Sequence, residues 1–169
     1  MVMGSVRFTS EYPALVNDKA ARVVAAGVVL IAGAALLTGW LWLSGVLAVG
    51  FALRAAAGPR FSPLGRLAAK VVAPRLGEPK MVSGPPKRFA QSIGFVLTTV
   101  AAVSLALGAP VVAFSLLAVL LVFATLEAAV GFCAGCFAFA QLMRVGLIPP
   151  ETCEACNDLS LRRRETAAA

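Results

Sequence analysis

Two long stretches of this chain, Val23 to Leu53 and Phe89 to Leu126, contain no charged residue, and all fifteen Lys and Arg lie outside them. A soluble domain of 169 residues scatters charge over its surface, whereas a membrane protein confines charge to the ends of its spans. Charged residues make up 14% of the chain, against roughly 25% in an ordinary soluble domain. The formal net charge of +7 therefore speaks to orientation. It does not call for a nucleic-acid partner, and no phosphate loop or nucleotide fingerprint is present. The first apolar run follows Glu11, Tyr12, Pro13 and Asp18, with no compact basic region, so it reads as a retained span and not a cleaved leader.

The expected fold is all-α: a polytopic membrane protein with four transmembrane helices as two hairpins and a short interfacial amphipathic helix between them. The first uncharged block has 31 residues, too many for one span of roughly 20. Thr38-Gly39 divides it into spans over 18–38 and 41–57. Asn17-Asp18 caps the first, Arg54 snorkels from the second, and Trp40 and Trp42 mark the interface at the turn. Gly108-Ala109-Pro110 divides the second block into spans over 88–107 and 111–139. Between the hairpins, Leu64, Leu67, Ala68, Val71 and Val72 recur at helical spacing while Arg66 and Lys70 face away. That pattern, bounded by Pro63 and Pro74, predicts an interfacial helix over 63–73. The chain thus divides into an N-terminal segment 1–17, a membrane domain 18–143 and a tail 144–169. Ala102 with Ala106, and Gly131 with Gly135, allow close helix contact.

Basic residues precede the first span (Arg7, Lys19, Arg22), crowd between the second and third (Arg54, Arg60, Arg66, Lys70, Arg75, Lys80, Lys87, Arg88) and follow the fourth (Arg144, Arg162 to Arg164). The turns at Gly39 and Gly108 carry none. The positive-inside rule then predicts that both termini and the central loop are cytoplasmic, with anionic headgroups meeting the basic loop.

Chemistry is carried by four cysteines in two CxxC pairs, Cys133-Ala-Gly-Cys136 and Cys153-Glu-Ala-Cys156, with sixteen residues between them. That spacing suits a four-thiolate site for zinc, or for iron in a rubredoxin-like centre. The same pairs suit dithiol chemistry, in which Cys133 and Cys136 cycle between thiol and disulfide, and a third reading gives the cysteines no direct chemistry. The chain has no histidine to activate a thiol, which also leaves haem and di-iron sites without support. Glu127 lies about 24 Å along the fourth span, where an ionised carboxylate is costly and either works or finds a partner. Arg54, Arg88, Gln91 and Thr98 are the expected partners. On an unbroken helix Glu127 points opposite to Cys136, so a joint site needs a break at Gly131 or Gly135. Phe132, Phe137 and Phe139 are expected to anchor the interface.

The segments Gly58-Pro-Arg-Phe-Ser-Pro-Leu-Gly-Arg-Leu67, Pro85-Pro-Lys-Arg-Phe-Ala-Gln91 and Gly131-Phe-Cys-Ala-Gly-Cys136 resemble the DUF4395 family of small bacterial integral membrane proteins. The resemblance spans roughly residues 15 to 143, and its most specific motif is the GFCxGC element. It implies a bacterial inner-membrane protein. Because some family members are encoded beside thioredoxin-like proteins or sulfurtransferases, it also implies that Cys133 and Cys136 handle electrons or sulfane sulfur for such a partner. Three functions compete. One is a membrane-embedded thiol module serving a cytoplasmic redox or sulfur-transfer protein. Another is an accessory or scaffold subunit of a larger membrane complex, its tail fixed by metal. The last is a small transporter using Glu127.

Overall fold

The computed structural model describes residues 13–59 and 61–153. Arg7, Arg60, Cys156 and Arg162 to Arg164 lie outside the described residues.

A short strand β1 (Leu15–Asn17) leads into helix α1 (Asp18–Thr38), where Asn17 Oδ1 accepts from the Lys19 amide at 3.0 Å. That bond satisfies one of the amides every helix leaves unpaired at its start. Gly39, at φ 74°, ends α1 in a left-handed turn, and Thr38 Oγ1 donates to the Ala34 carbonyl at 2.6 Å. Helix α2 (Leu43–Ala57) runs back antiparallel. The central segment forms α3 (Pro63–Leu67), capped by Ser62, and continues through a π turn (Ala68–Val72) into a 3₁₀ turn (Ala73–Leu76). Strand β2 (Met81–Ser83) then pairs antiparallel with β1, Val16 opposite Val82, and opens α4 (Gly84–Ala106). Helix α5 (Pro110–Val130) returns, and α6 (Ala134–Arg144) follows after three residues.

The β1–β2 pair sets the starts of α1 and α4 side by side, so one end of the bundle collects the charge. The other end holds the turns at Gly39 and Gly108, with Trp40, Trp42 and Leu107 exposed. Much of the basic charge at the first end closes helix termini. Arg22 donates to the Ala128 and Ala129 carbonyls at the end of α5, Arg88 to Ala55 at the end of α2, and Lys19 to Leu76. These are the carbonyls a helix leaves without partners, and a cation also suits the negative end of its dipole. Arg54 does not snorkel. It is buried, with Nε donating to Gln91 Oε1 at 2.7 Å, Nη1 to Ser62 Oγ, and its guanidinium 4.6 Å from the Phe51 ring centre.

Three helices, α1, α4 and α5, are long and apolar enough to cross a membrane. Their outer faces leave Leu30, Val96, Val111 and Val122 exposed, which lipid tolerates and water does not. The chain is a multi-pass membrane protein. The expected set of four spans in two hairpins is corrected on two counts. Helix α2 has 15 residues, about 22 Å, against roughly 30 Å of hydrocarbon. The Gly39 turn takes up residues as far as Trp42, and Gly58 stops α2 at the other end. The fourth span also does not run to Phe139: it ends at Val130, and α6 is a separate amphipathic helix. Six α-helices, and not four plus one, build the described residues.

Small residues hold the core together. Ala32, Ala35, Ala101 and Ala113 are completely buried around Leu117, Leu47 and Phe51. Ala106, by contrast, is exposed, so the close approach on α4 falls on Gly94 and Ala101 and not on the expected Ala102–Ala106 pair. A Cβ at Gly94 would enter the Phe51 ring. Gly94→Val should therefore cost about 1–3 kcal/mol through overpacking. Unfolding in detergent measures it, and adding Phe51→Ala should return part of the loss. The interfacial segment docks on the bundle: Ala68, Ala73 and Leu64 pack on Ala20 and Val24 of α1, leaving Leu67 and Val71 outward.

Candidate functional site

Helix α5 ends as the residues around Gly131 dictate. Gly131 takes φ 75°, its amide donates to the Glu127 carbonyl at 3.0 Å, and the Phe132 amide donates to Leu126 at 3.3 Å. The Gly131-to-Glu127 bond is the αL helix ending, which favours glycine because the left-handed conformation penalises a Cβ. Cys133 is then extended (φ −99°, ψ 103°) and caps α6, its sulfur accepting from the Cys136 amide at 3.3 Å. The run Gly-Phe-Cys-Ala-Gly-Cys thus stops one helix and starts another, laying the CxxC pair across a helix N-terminus. Cys136 Sγ donates to Cys133 Sγ at 2.6 Å. Cys133 is buried and Cys136 half-buried.

Gly135 lets this turn press onto α4, since a Cβ there would lie 2.5 Å from the Ala90 Cβ. One turn before Ala90, on the same face of α4, stands Lys87. Its ammonium is buried and bridges two acids, Asp18 Oδ1 at 3.2 Å and Glu127 Oε1 at 2.9 Å. One lysine therefore ties together the start of α1, the start of α4 and the last turn of α5, beside the dithiol. The hydrogen bond from Cys136 holds the Cys133 thiol below its ordinary range, opposed by burial and Glu127 and helped by Lys87. The same bond, with burial, pushes Cys136 far above the ordinary thiol range. The pair is asymmetric: the Cys136 thiol and amide both donate to Cys133 Sγ, which favours the thiolate at Cys133 and the proton at Cys136.

The break at Gly131 joins what an unbroken helix would hold apart, and Cys133, Cys136 and Glu127 share one neighbourhood around Lys87. Lys87 itself is not among the expected partners of Glu127. Arg54, Arg88 and Thr98 are engaged elsewhere, Thr98 by the Gly94 carbonyl at 2.7 Å. The available signal is Pro85-Pro86-Lys87, because two prolines at a helix start place the next residue inside the first turn. Phe132 and Phe137 are exposed, but Phe139 is buried against Phe89 at 5.6 Å between ring centres and does not anchor the interface.

The expected zinc or iron on Cys133, Cys136, Cys153 and Cys156 is corrected. Among the described residues, no group of three or more His, Cys, Asp or Glu could hold a metal ion. Cys153 is buried in a 3₁₀ turn (Pro150–Cys153) beyond α6 and is disulfide-bonded, so it has no thiolate to offer. Glu127 is committed to Lys87. Cys156 lies outside the described residues.

No curated protein and no solved structure matches the chain. Residues 16–144 match the family described as Domain of unknown function (DUF4395), a stretch that takes in α1 to α6 and the Cys133–Cys136 pair but not Cys153. On that match, over most of its length, the chain belongs to the DUF4395 family.

Proposed function

We propose that this protein is a membrane-embedded dithiol module of the bacterial inner membrane, serving a thioredoxin-like or sulfurtransferase partner at its cytoplasmic face. The observation that carries this reading is the asymmetric pair at the start of α6, with Cys133 depressed and capped and Cys136 2.6 Å away and partly open. In the oxidised state, a partner thiolate attacks Cys136 Sγ and Cys133 leaves as the thiolate. The lower a thiol's pKa, the better it leaves. A second partner thiol then attacks the mixed disulfide and releases Cys136, which takes up a proton. Two electrons pass from partner to module, and the partner ends as a disulfide. The exposed Arg66, Lys70, Arg75 and Lys80, beside exposed Phe61, Leu67 and Leu76, suit a surface resting on anionic headgroups.

The test is a titration against reduced and oxidised glutathione, with Cys153 and Cys156 changed to serine and free thiols counted by maleimide mass. One two-electron transition is expected, absent in Cys133→Ser and in Cys136→Ser. Two thiols that stay alkylatable even in oxidised glutathione alone refute the proposal. Orientation is tested separately. Labels at Gly39 and Gly108 should react from outside intact cells, and a label at Gly77 only after the membrane is opened; the reverse pattern would invert the assignment.

A further inference from the structure

Beneath the dithiol lies a cavity of about 290 Å³ between α1, α4 and α5, floored by Phe51 of α2. Cys133 forms part of its wall, as do Glu127 and Gln91; the rest is apolar, including Val28, Leu97 and Leu120. Ile93 and Phe123 line it and are also exposed on the apolar outer surface, so the cavity opens towards lipid. Arg54 Nε occupies Gln91 Oε1, which turns the NH₂ of that amide into the group that can donate to a ligand oxygen. A site of this kind takes a flat, apolar molecule that arrives through the bilayer, carries an oxygen at its head, and meets a sulfur nucleophile.

We infer that the cavity binds the ring of a lipid-soluble quinone, which accepts the two electrons that the Cys133–Cys136 dithiol collects. This rests on the dithiol reading above. The volume is near the lower bound of roughly 300 Å³ for small-molecule sites, enough for a quinone ring with its tail left in lipid. The Cys133 thiolate adds to a ring carbon, forming a C–S bond. Cys136 Sγ then attacks Cys133 Sγ, making the disulfide and breaking that bond, and the electron pair stays on the ring. The ring takes one proton from the Cys136 thiol and one from water at the charged end, leaving as the hydroquinone. The two sulfurs are oxidised by two electrons and the quinone is reduced by two. Cys133 thereby faces the lipid-borne oxidant while Cys136 faces the aqueous partner, so one pair joins the two phases.

The experiment uses the full chain in nanodiscs, with Cys153 and Cys156 changed to serine, prereduced and mixed with decylubiquinone. Quinone absorbance and free thiols are followed together. One quinone reduced and two thiols lost per chain are expected. Ala124→Phe, which fills the cavity from α5, should slow quinone reduction at least tenfold while leaving oxidation by glutathione disulfide unchanged. Ala21→Leu, filling from α1, provides the same measurement should the first variant fold poorly. A pair that glutathione disulfide cannot oxidise overturns the dithiol reading itself. A pair that glutathione disulfide oxidises but decylubiquinone does not overturns the quinone assignment alone. So does equal quinone reduction in a folded cavity-filling variant.

Discussion

Lys87→Met is expected to destabilise the protein by about 3–5 kcal/mol, the usual cost of leaving a buried charge without its counterion. The lysine side chain is 8% exposed and its two acids, Asp18 and Glu127, are 14% and 16% exposed. Removing the ammonium leaves two shielded carboxylates facing one another, on helices α1 and α5 that no longer share a partner. Glu127→Gln should cost less, because Lys87 keeps Asp18 and the amide oxygen can still accept a hydrogen bond. Lys87→Met with Glu127→Gln together should therefore be more stable than Lys87→Met alone. Equilibrium unfolding in mixed micelles gives all three values. A Lys87→Met protein within about 1 kcal/mol of the parent would place the triad among ion pairs of little net worth. The same variant removes a cation from beside the dithiol, so Cys133 should also alkylate more slowly at neutral pH.

The second large effect concerns the cysteines themselves. Cys133 should react with iodoacetamide well below the pH at which ordinary thiols, with a pKa of about 8.5, become nucleophilic. Its rate should level off at a lower pH than that of an ordinary thiol, since the Cys136 hydrogen bond favours its thiolate. Cys136 should stay unreactive well into the alkaline range, because its proton is held by the neighbouring thiolate. Cys136→Ala deletes the hydrogen bond that is the main cause of the Cys133 depression. The Cys133 profile should then move to higher pH, and the neutral-pH rate should fall about tenfold for every pH unit it moves. Site-resolved mass spectrometry over pH 5–10 measures both profiles. Equal reactivity of the two sulfurs at pH 7 would remove the basis for giving them different roles.

The lipid-facing character of the chain was legible because it depends on composition over long windows. Uncharged blocks 23–53 and 89–126 need no tertiary information to be read as membrane-seeking. The ends of α1 were equally visible in Asn17 and Gly39, whose local chemistry decides capping and turning. Gly131 carried the same kind of signal, yet the apolar periodicity running on through Phe139 argued for continuation. The left-handed Gly131 and its bond to the Glu127 carbonyl resolve that conflict in favour of the break. The short strands at Leu15–Asn17 and Met81–Ser83 were not legible, since three residues give no usable alternation and their central partners, Val16 and Val82, lie 66 positions apart. The even spacing of the two CxxC pairs suggested a metal centre. Spacing does not report where an intervening helix directs the chain, and α6 stands between them.

The amino-acid order alone determined that this protein lives in lipid and where α1 starts and stops. Those properties follow from local free energies: transfer of apolar side chains, satisfaction of helix-end amides, and the conformational freedom of glycine. Only the tertiary structure decided that Lys87 answers Glu127, that Arg54 turns inward, and that Cys133 meets a lipid-facing cavity. The first two of these join residues far apart in the chain, Arg54 and Gln91 by 37 positions, Lys87 and Glu127 by 40. Which side chains meet over such distances depends on how whole helices pack, and here that packing is set by the small residues Gly94, Ala101 and Gly135.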